Sequence, residues 1–353
     1  MASRPDDVGA DVDVAIVGAG PAGAAAAILC AGAGLRVALL ERGAFPRERP
    51  GETLHPGVEA PLRELGVLDR VQDAGFVRHD GVQVTWDGPT RFDAYGADEA
   101  GPWRGYQAPR ERLDALLVDR ARELGVVLYD RVRAIAPEMD AGRVGGVRTG
   151  AGVLRARFVV DAGGGGHWLA RRLGLELDER SPMLIARYGY VTGRCRARDG
   201  APAIVADERG WTWTARVDEG VYAWMRLDLS GTVAESARPR ELARLRARGR
   251  RRGADVSWRM VRGPAGPGYA MAGDAAAVLD PASSHGVLRA LLSGMHAGRL
   301  ARAVLGRRGN EAALSAEYSR FVADWFEHDV AELRALYARL PSAPAWVAGE
   351  QHR

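Results

Sequence analysis

The first apolar run, Val12 to Val17, is followed by glycines at 18, 20 and 23 and then by small residues from Ala22 to Ala33. That order predicts a short buried strand, a tight turn and a helix that packs closely. Arg36 to Leu40 reads as a second strand, ending at Glu41. Pro and Gly then break the chain into a loop, and Pro56 to Leu65 reads as a helix. Residues 75–95 alternate apolar and polar positions with Gly-containing turns, the pattern of a small antiparallel hairpin. From Pro109 to Leu124, Leu113, Leu116, Leu117 and Ala121 recur at helical spacing. Strands are expected at Val126–Tyr129 and Arg131–Ala134, a hairpin over 143–160 and a helix over His167–Leu173.

Between Ser181 and Met260 the pattern changes to short strands rich in Trp, Tyr and Val, interrupted by an arginine-rich helix expected at Arg238–Arg252. Tyr269–Met271 reads as a strand, and a helix starts near Gly286. Glu311 to Leu340 carries an amphipathic pattern (Leu314, Tyr318, Phe321, Val322, Trp325) that Pro341 stops, leaving a loose tail. These elements predict a mixed α/β chain. A discontinuous Rossmann-type domain takes 1–78, 108–180 and 263–305. An antiparallel-sheet domain for the substrate takes 79–107 and 181–262, and a helical segment takes 306–353.

Composition narrows the picture. At 353 residues and 47% hydrophobic the chain can bury a sizeable core. No apolar run reaches the roughly 18–20 residues of a membrane span. The acidic start, MASRPDDVGADVD, has no apolar core, so it does not read as a signal peptide and the cytoplasm is expected. The net charge is +4, and all 49 basic residues are arginine. A mechanism that needs a lysine therefore has none to use. The arginine run at 238–252 lacks aromatic interleaving, so it reads as a solvated face, not a nucleic-acid surface. Cys30 and Cys195 form no C-x-x-C, which excludes a dithiol mechanism. No metal site is expected.

The chemistry starts at the first turn. Gly18 permits the tight turn, Gly20 lets a pyrophosphate approach, and Gly23 lets the helix pack on the sheet. Pro21 and Ala22 open a helix whose free N–H groups and dipole favour phosphate. Glu41, about twenty residues on, suits the ribose hydroxyls of a dinucleotide, with Arg42 beside it.

With Asp161-Ala162-Gly163 and Gly273-Asp274 following in order, and Asp280-Pro281 behind them, the chain resembles the FAD-dependent aromatic hydroxylase superfamily. That superfamily includes flavin-dependent halogenases and geranylgeranyl reductases. The resemblance covers about residues 10–305 and implies a glutathione-reductase-like FAD domain. It implies that Asp274 meets the ribityl chain, that Pro281 lies near the ring, and that Gly286 and Val287 offer N–H groups to the pyrimidine edge. Arg110 approaches the cofactor, the backbone beside Val132 meets the adenine, and Asp161 and Gly273 belong to the same site. No second G-x-G-x-x-G is present, so no separate nicotinamide domain is expected.

Within the superfamily, His79 stands where halogenases carry their lysine, and Ser283 stands where tryptophan halogenases carry a glutamate. Trp211-Thr212-Trp213 resembles the halogenase W-x-W motif without its ending. The stretch from Asp280 to Met295 looks closest to flavoproteins that mature tryptophylquinone oxidases. The resemblance thus implies an FAD-dependent monooxygenase acting on an electron-rich aromatic substrate, a small molecule or a tryptophan in a partner protein. A halogenase-like or reductase-like enzyme, or a non-catalytic FAD-containing chaperone, stands as the alternative. Electrons would come from NAD(P)H or a separate flavin reductase. His285 and His79 are the candidate acid–base groups, with His55 beside Glu52 as a third. Trp211 and Trp213 alternate on a strand and share a face, lining either the substrate cavity or the core. Oligomeric state is not legible.

Overall fold

The computed structural model describes residues 11–45, 47, 49–229 and 238–348. Most of the acidic N-terminal stretch and the end of the expected tail, from Gly349, lie outside the described residues. Val12–Val17 is the centre of a parallel layer, with Val37–Glu41 on one side and Gly152–Asp161 on the other. Val127–Asp130 and Tyr269–Met271 extend the layer at its two edges. Its strands are nearly continuous apolar runs because both faces are covered. Pro21–Gly32 packs against Gly286–Leu305 through small residues: a Cβ on Gly294 would lie 2.1 Å from the Ala22 carbonyl oxygen. Cys30 sits fully buried at the same helix contact, its Sγ 3.7 Å from the Gly298 carbonyl oxygen.

The first half of Gly152–Asp161 pairs antiparallel with Arg143–Thr149, which pairs in turn with Ala134–Asp140. The strand expected at Arg131–Ala134 therefore starts later. Arg131 takes a left-handed φ of 59°, and the Val132 N–H donates to the Glu41 carbonyl, so the chain turns before pairing begins.

A second sheet has seven strands, in the order 246–255, 185–192, 221–228, 210–218, 203–207, 81–85 and 91–94. The expected arginine-rich helix is a correction. Arg246–Asp255 is an exposed edge strand paired with Ile185–Thr192, and only Arg240–Leu242 makes a short helical turn. Gly249, at φ 73°, and Gly253 weaken a helix there, and the open edge of Ile185–Thr192 supplies backbone partners. A small sheet of Thr53–Leu54, Gly105–Gln107 and Val77–His79 completes the surroundings of the site.

Glu311–Ala338, capped by the Asn310 side chain, spans both regions. The Tyr318 hydroxyl donates to the Met271 carbonyl, and the Trp86 indole donates to the Leu336 carbonyl. The tail is not wholly loose: Ala345–Ala348 forms a helical turn, and Trp346 meets Trp258 with ring centroids 5.1 Å apart. Burying a large aromatic surface outweighs the entropy of ordering so short a segment.

Candidate active site

Gly18, with φ 97°, turns the chain so closely that a Cβ would lie 2.3 Å from the Ala162 carbonyl oxygen. Gly23 has the same constraint, at 1.8 Å from the Gly18 carbonyl oxygen. The helix beginning at Pro21 has no side-chain cap and no acid in its first turn. The N–H groups of Ala22 and Gly23 are thus free for an anion. Glu41 is buried; its oxygens accept the Ala19 and Gly43 N–H groups at 3.1 and 2.9 Å. The remaining lone pairs are what it has for ribose hydroxyls. Arg42 is exposed at the rim.

Two guanidinium groups face this turn. A Cβ on Gly20 would stand 3.2 Å from Arg47 Nη2 and 4.0 Å from Arg110 Nη2. Arg110 grips Asp114 through two bonds of 2.9 and 3.2 Å, and Arg47 reaches Glu41 and Asp114 at 3.4 and 3.5 Å. Arg110 was legible at the start of its helix; Arg47, in a Pro- and Arg-rich loop, was not. Asp274 is a further acid of the site. Burial raises its pKa against the pull of Arg110, Arg259 and Arg289, yet its side chain remains exposed. It thus faces an open cleft inside the molecule, and among the described residues it has no hydrogen-bond partner. The neighbouring Gly273 N–H donates to Ser293 Oγ at 2.9 Å, which ties the turn at Gly273 to the first half of Gly286–Leu305.

The second helix end, at Gly286, also has no cap and no acid in its first turn. A Cβ on Gly286 would meet nothing within 4 Å, so its N-terminus opens on free space. Pro281 and Ser284 are exposed along the preceding loop, and Val287 is half-buried. His285 is half-buried, and burial, then Arg289, lower its pKa. Its ring lies 5.8 Å from that of His55, which lies 4.9 Å from Tyr95, which lies 5.5 Å from His79. His55 and His79 therefore flank one tyrosine that the sequence did not single out, and His285 joins the row through His55. His79 is buried, with Nδ1 3.2 Å from the Gly81 carbonyl and, among the described residues, no hydrogen-bond partner at Nε2.

One expectation needs correction, and two are narrowed. Asp161 is fully buried and spends its carboxylate on the Gly163 and Leu169 N–H groups, at 2.8 and 2.9 Å. It builds the loop under Gly18 and does not line the cleft. The Val132 N–H is likewise taken by Glu41, leaving only its carbonyl for a ligand. Trp211 is 1% exposed and its indole donates to the Tyr337 hydroxyl at 2.9 Å, so it belongs to the core.

Trp213 is half-buried on the same face of the sheet. Tyr188, paired across the sheet with Met225, and Tyr190 share that face. All three are half-buried. The Tyr190 hydroxyl bonds to Glu52, whose pKa burial raises. Alternation at 188 and 190 was the available signal for this aromatic wall, but only the register shows which side it faces.

Two uncapped helix ends, two arginines and an exposed acid fit a dinucleotide whose ring system becomes anionic on reduction. FAD suits this set: Gly20 and Ala22 would take its pyrophosphate, Asp274 its ribityl chain, and Pro281–Val287 its ring. Over 344 residues the chain is 26% identical to a tryptophan 2-halogenase of Chondromyces crocatus, covering 87% of this chain and 64% of that protein. It is 34% identical over 184 residues to a 6-methylpretetramide 4-monooxygenase of Streptomyces rimosus, covering 50% of this chain and 44% of that one. The chain thus spans less than two thirds of these relatives' own length. The structure of the myxobacterial chondrochloren halogenase superposes with a TM-score of 0.87 at 25% identity, covering 96% of this chain and 86% of that one. A family model described as an FAD binding domain matches residues 11–253, and the chain belongs to that family of flavoproteins.

Proposed function

We propose that this chain is an FAD-dependent monooxygenase that adds oxygen to an electron-rich aromatic small molecule. What carries the reading is the side of the cleft beyond the flavin loop. It has a wall of Tyr188, Tyr190, Trp213 and Met225 and a cluster of His55, Tyr95 and His285, but no ammonium group. At the place where halogenases carry a lysine, His79 is buried. Bound FAD, once reduced, supplies the activation of dioxygen. The aromatic wall orients the substrate ring and keeps water away. His285, held neutral by burial, takes or returns a proton at its imidazole.

The likeness to halogenases along most of the chain favours a second reading, halogenation. One experiment separates the two. The FAD-loaded protein is given a reductant, oxygen and bromide with a panel of phenols, indoles and a tryptophan-containing peptide. Mass spectrometry should find oxygenated, not brominated, small-molecule product. Robust bromination overturns the first reading. Product on the peptide alone restores a protein-borne tryptophan as substrate, for which the relatives give no support. No flavin reduction by NAD(P)H or a flavin reductase points to a non-catalytic role.

A further inference from the structure

One buried group in the site has no part in the reaction above. Asp280 precedes Pro281, is 0% exposed, and accepts three hydrogen bonds. The Trp258 indole reaches Oδ2 at 2.6 Å, and the Tyr337 hydroxyl and the Ala282 N–H reach Oδ1 at 2.8 and 2.9 Å. Tyr337 in turn receives the Trp211 indole N–H. A residue that only capped the turn at Pro281–Ser283 would need the Ala282 contact alone. Here the second oxygen is also claimed, by a residue from outside the loop.

No cation is bonded to this carboxylate among the described residues. Arg289 is the nearest positive charge acting on it, and Arg289 is engaged by Asp329 at 2.5 Å. Asp274 also bears on Arg289, and His285 lies between Asp280 and the start of the helix. A buried charge with no bonded counter-ion is costly unless it is neutralised. Burial accordingly pushes the Asp280 carboxyl up to about 6.

We propose that Asp280 is a positioning residue that sets the charge behind the flavin loop and takes up a proton when the flavin is reduced. The inference rests on FAD lying at Pro281–Val287. The balance is simple. The donor passes two electrons and one proton to the flavin, which gains one negative charge. One further proton passes from solvent to Oδ2 of Asp280, forming an O–H bond and cancelling that charge. Oδ2 has a single donor, Trp258, and so has a lone pair free for it.

The test is the two-electron midpoint potential of the FAD-loaded chain and of Asp280→Asn, from pH 5 to pH 8. At pH 8 the wild-type carboxylate is ionised and disfavours the reduced flavin. The variant should then favour reduction about tenfold more, which is about 30 mV for a two-electron couple. At pH 5 the wild-type group is already neutral, so the difference should vanish. An offset equal at all pH values, or none, overturns the proposal. The apoprotein gives an independent reading. Its tryptophan fluorescence should show an inflection near the Asp280 titration, through Trp258, that Asp280→Asn abolishes. Tyr337→Phe, which removes one donor to the carboxylate, should move it to higher pH. An inflection unchanged in both variants also overturns the proposal. Wild-type protein that takes up no FAD overturns the cofactor placement itself, and the apoprotein titration then judges Asp280 alone.

Discussion

At the scale of single residues, the site depends on groups left without partners. Asp274 faces the cleft with no hydrogen bond among the described residues, so a ligand's hydroxyls are its natural partners. Asp274→Ala should weaken FAD binding about ten- to a hundredfold, since a hydrogen bond to a charged group contributes roughly 1.5–3 kcal/mol. Quenching of flavin fluorescence measures this, and an unchanged dissociation constant removes Asp274 from the site. For His285→Ala, turnover should fall roughly 10²–10⁴-fold with FAD still bound, the range for loss of a general acid–base. Lower FAD occupancy with normal turnover per flavin would instead assign His285 a structural role. Asp274 was singled out through the family resemblance, and His285 because it precedes the glycine that starts a long helix. Glu52 and Tyr190 were not legible as a pair: 138 positions separate them, and only the strand register aims the phenol at the carboxylate. Asp161 misled for the opposite reason. An acid after a buried strand suits a ligand and a loop anchor equally, and only its two amide donors decide between them.

At the scale of elements, the cofactor cleft depends on two helices that run parallel in close contact, the start of the first lying against the ninth residue of the second. Ala22 and Gly294 meet where Pro21–Gly32 crosses Gly286–Leu305, and Gly298 follows one turn later, 3.1 Å from the Ala26 carbonyl oxygen if given a Cβ. Small residues at these positions let the helices touch while both uncapped N-termini, and both dipoles, point the same way. Gly294→Val should therefore force the helices apart and destabilise the chain by about 1–3 kcal/mol, the usual cost of overpacking. FAD affinity should fall with it, because the two helix ends would shift relative to one another. Urea unfolding of the apoprotein and an FAD titration check the two effects; a stable variant with unchanged affinity would show that the contact is slack. The parallel strands, the long helices and their glycines were readable from periodicity, since local pattern and tertiary environment agree there. The arginine-rich segment was not. Its local composition permits a helix, and the choice of strand comes from an unpaired neighbour more than 50 positions away, as Thr192 opposite Arg246 shows.

At the scale of the whole molecule, burial of acids sets how stability responds to pH. Asp161 and Asp280 are fully buried, and burial pushes each carboxyl up to about 6, above an unfolded value of 3.8. The folded chain therefore holds protons that the unfolded chain has released across this interval. Stability that these groups lend is fully present below 3.8 and is lost as pH rises through about 6. The loss is at most about 3 kcal/mol for each group, at 1.36 kcal/mol per pKa unit. Asp13 and Asp87 work the other way: their lowered pKa values, owed to arginine partners, lend stability that is lost only as pH falls below the ordinary carboxylate range. The two effects occupy different pH windows, so a difference measurement separates them. Asp161→Asn leaves one of two buried N–H groups without its acceptor, which costs about 1–3 kcal/mol. The variant does not titrate there, whereas the wild type loses stability between pH 4 and pH 7. The cost of the substitution should therefore be largest near pH 4 and shrink as pH rises. Urea midpoints of both apoproteins across that range give the slope directly, and a cost independent of pH would show that Asp161 stays ionised in the folded chain.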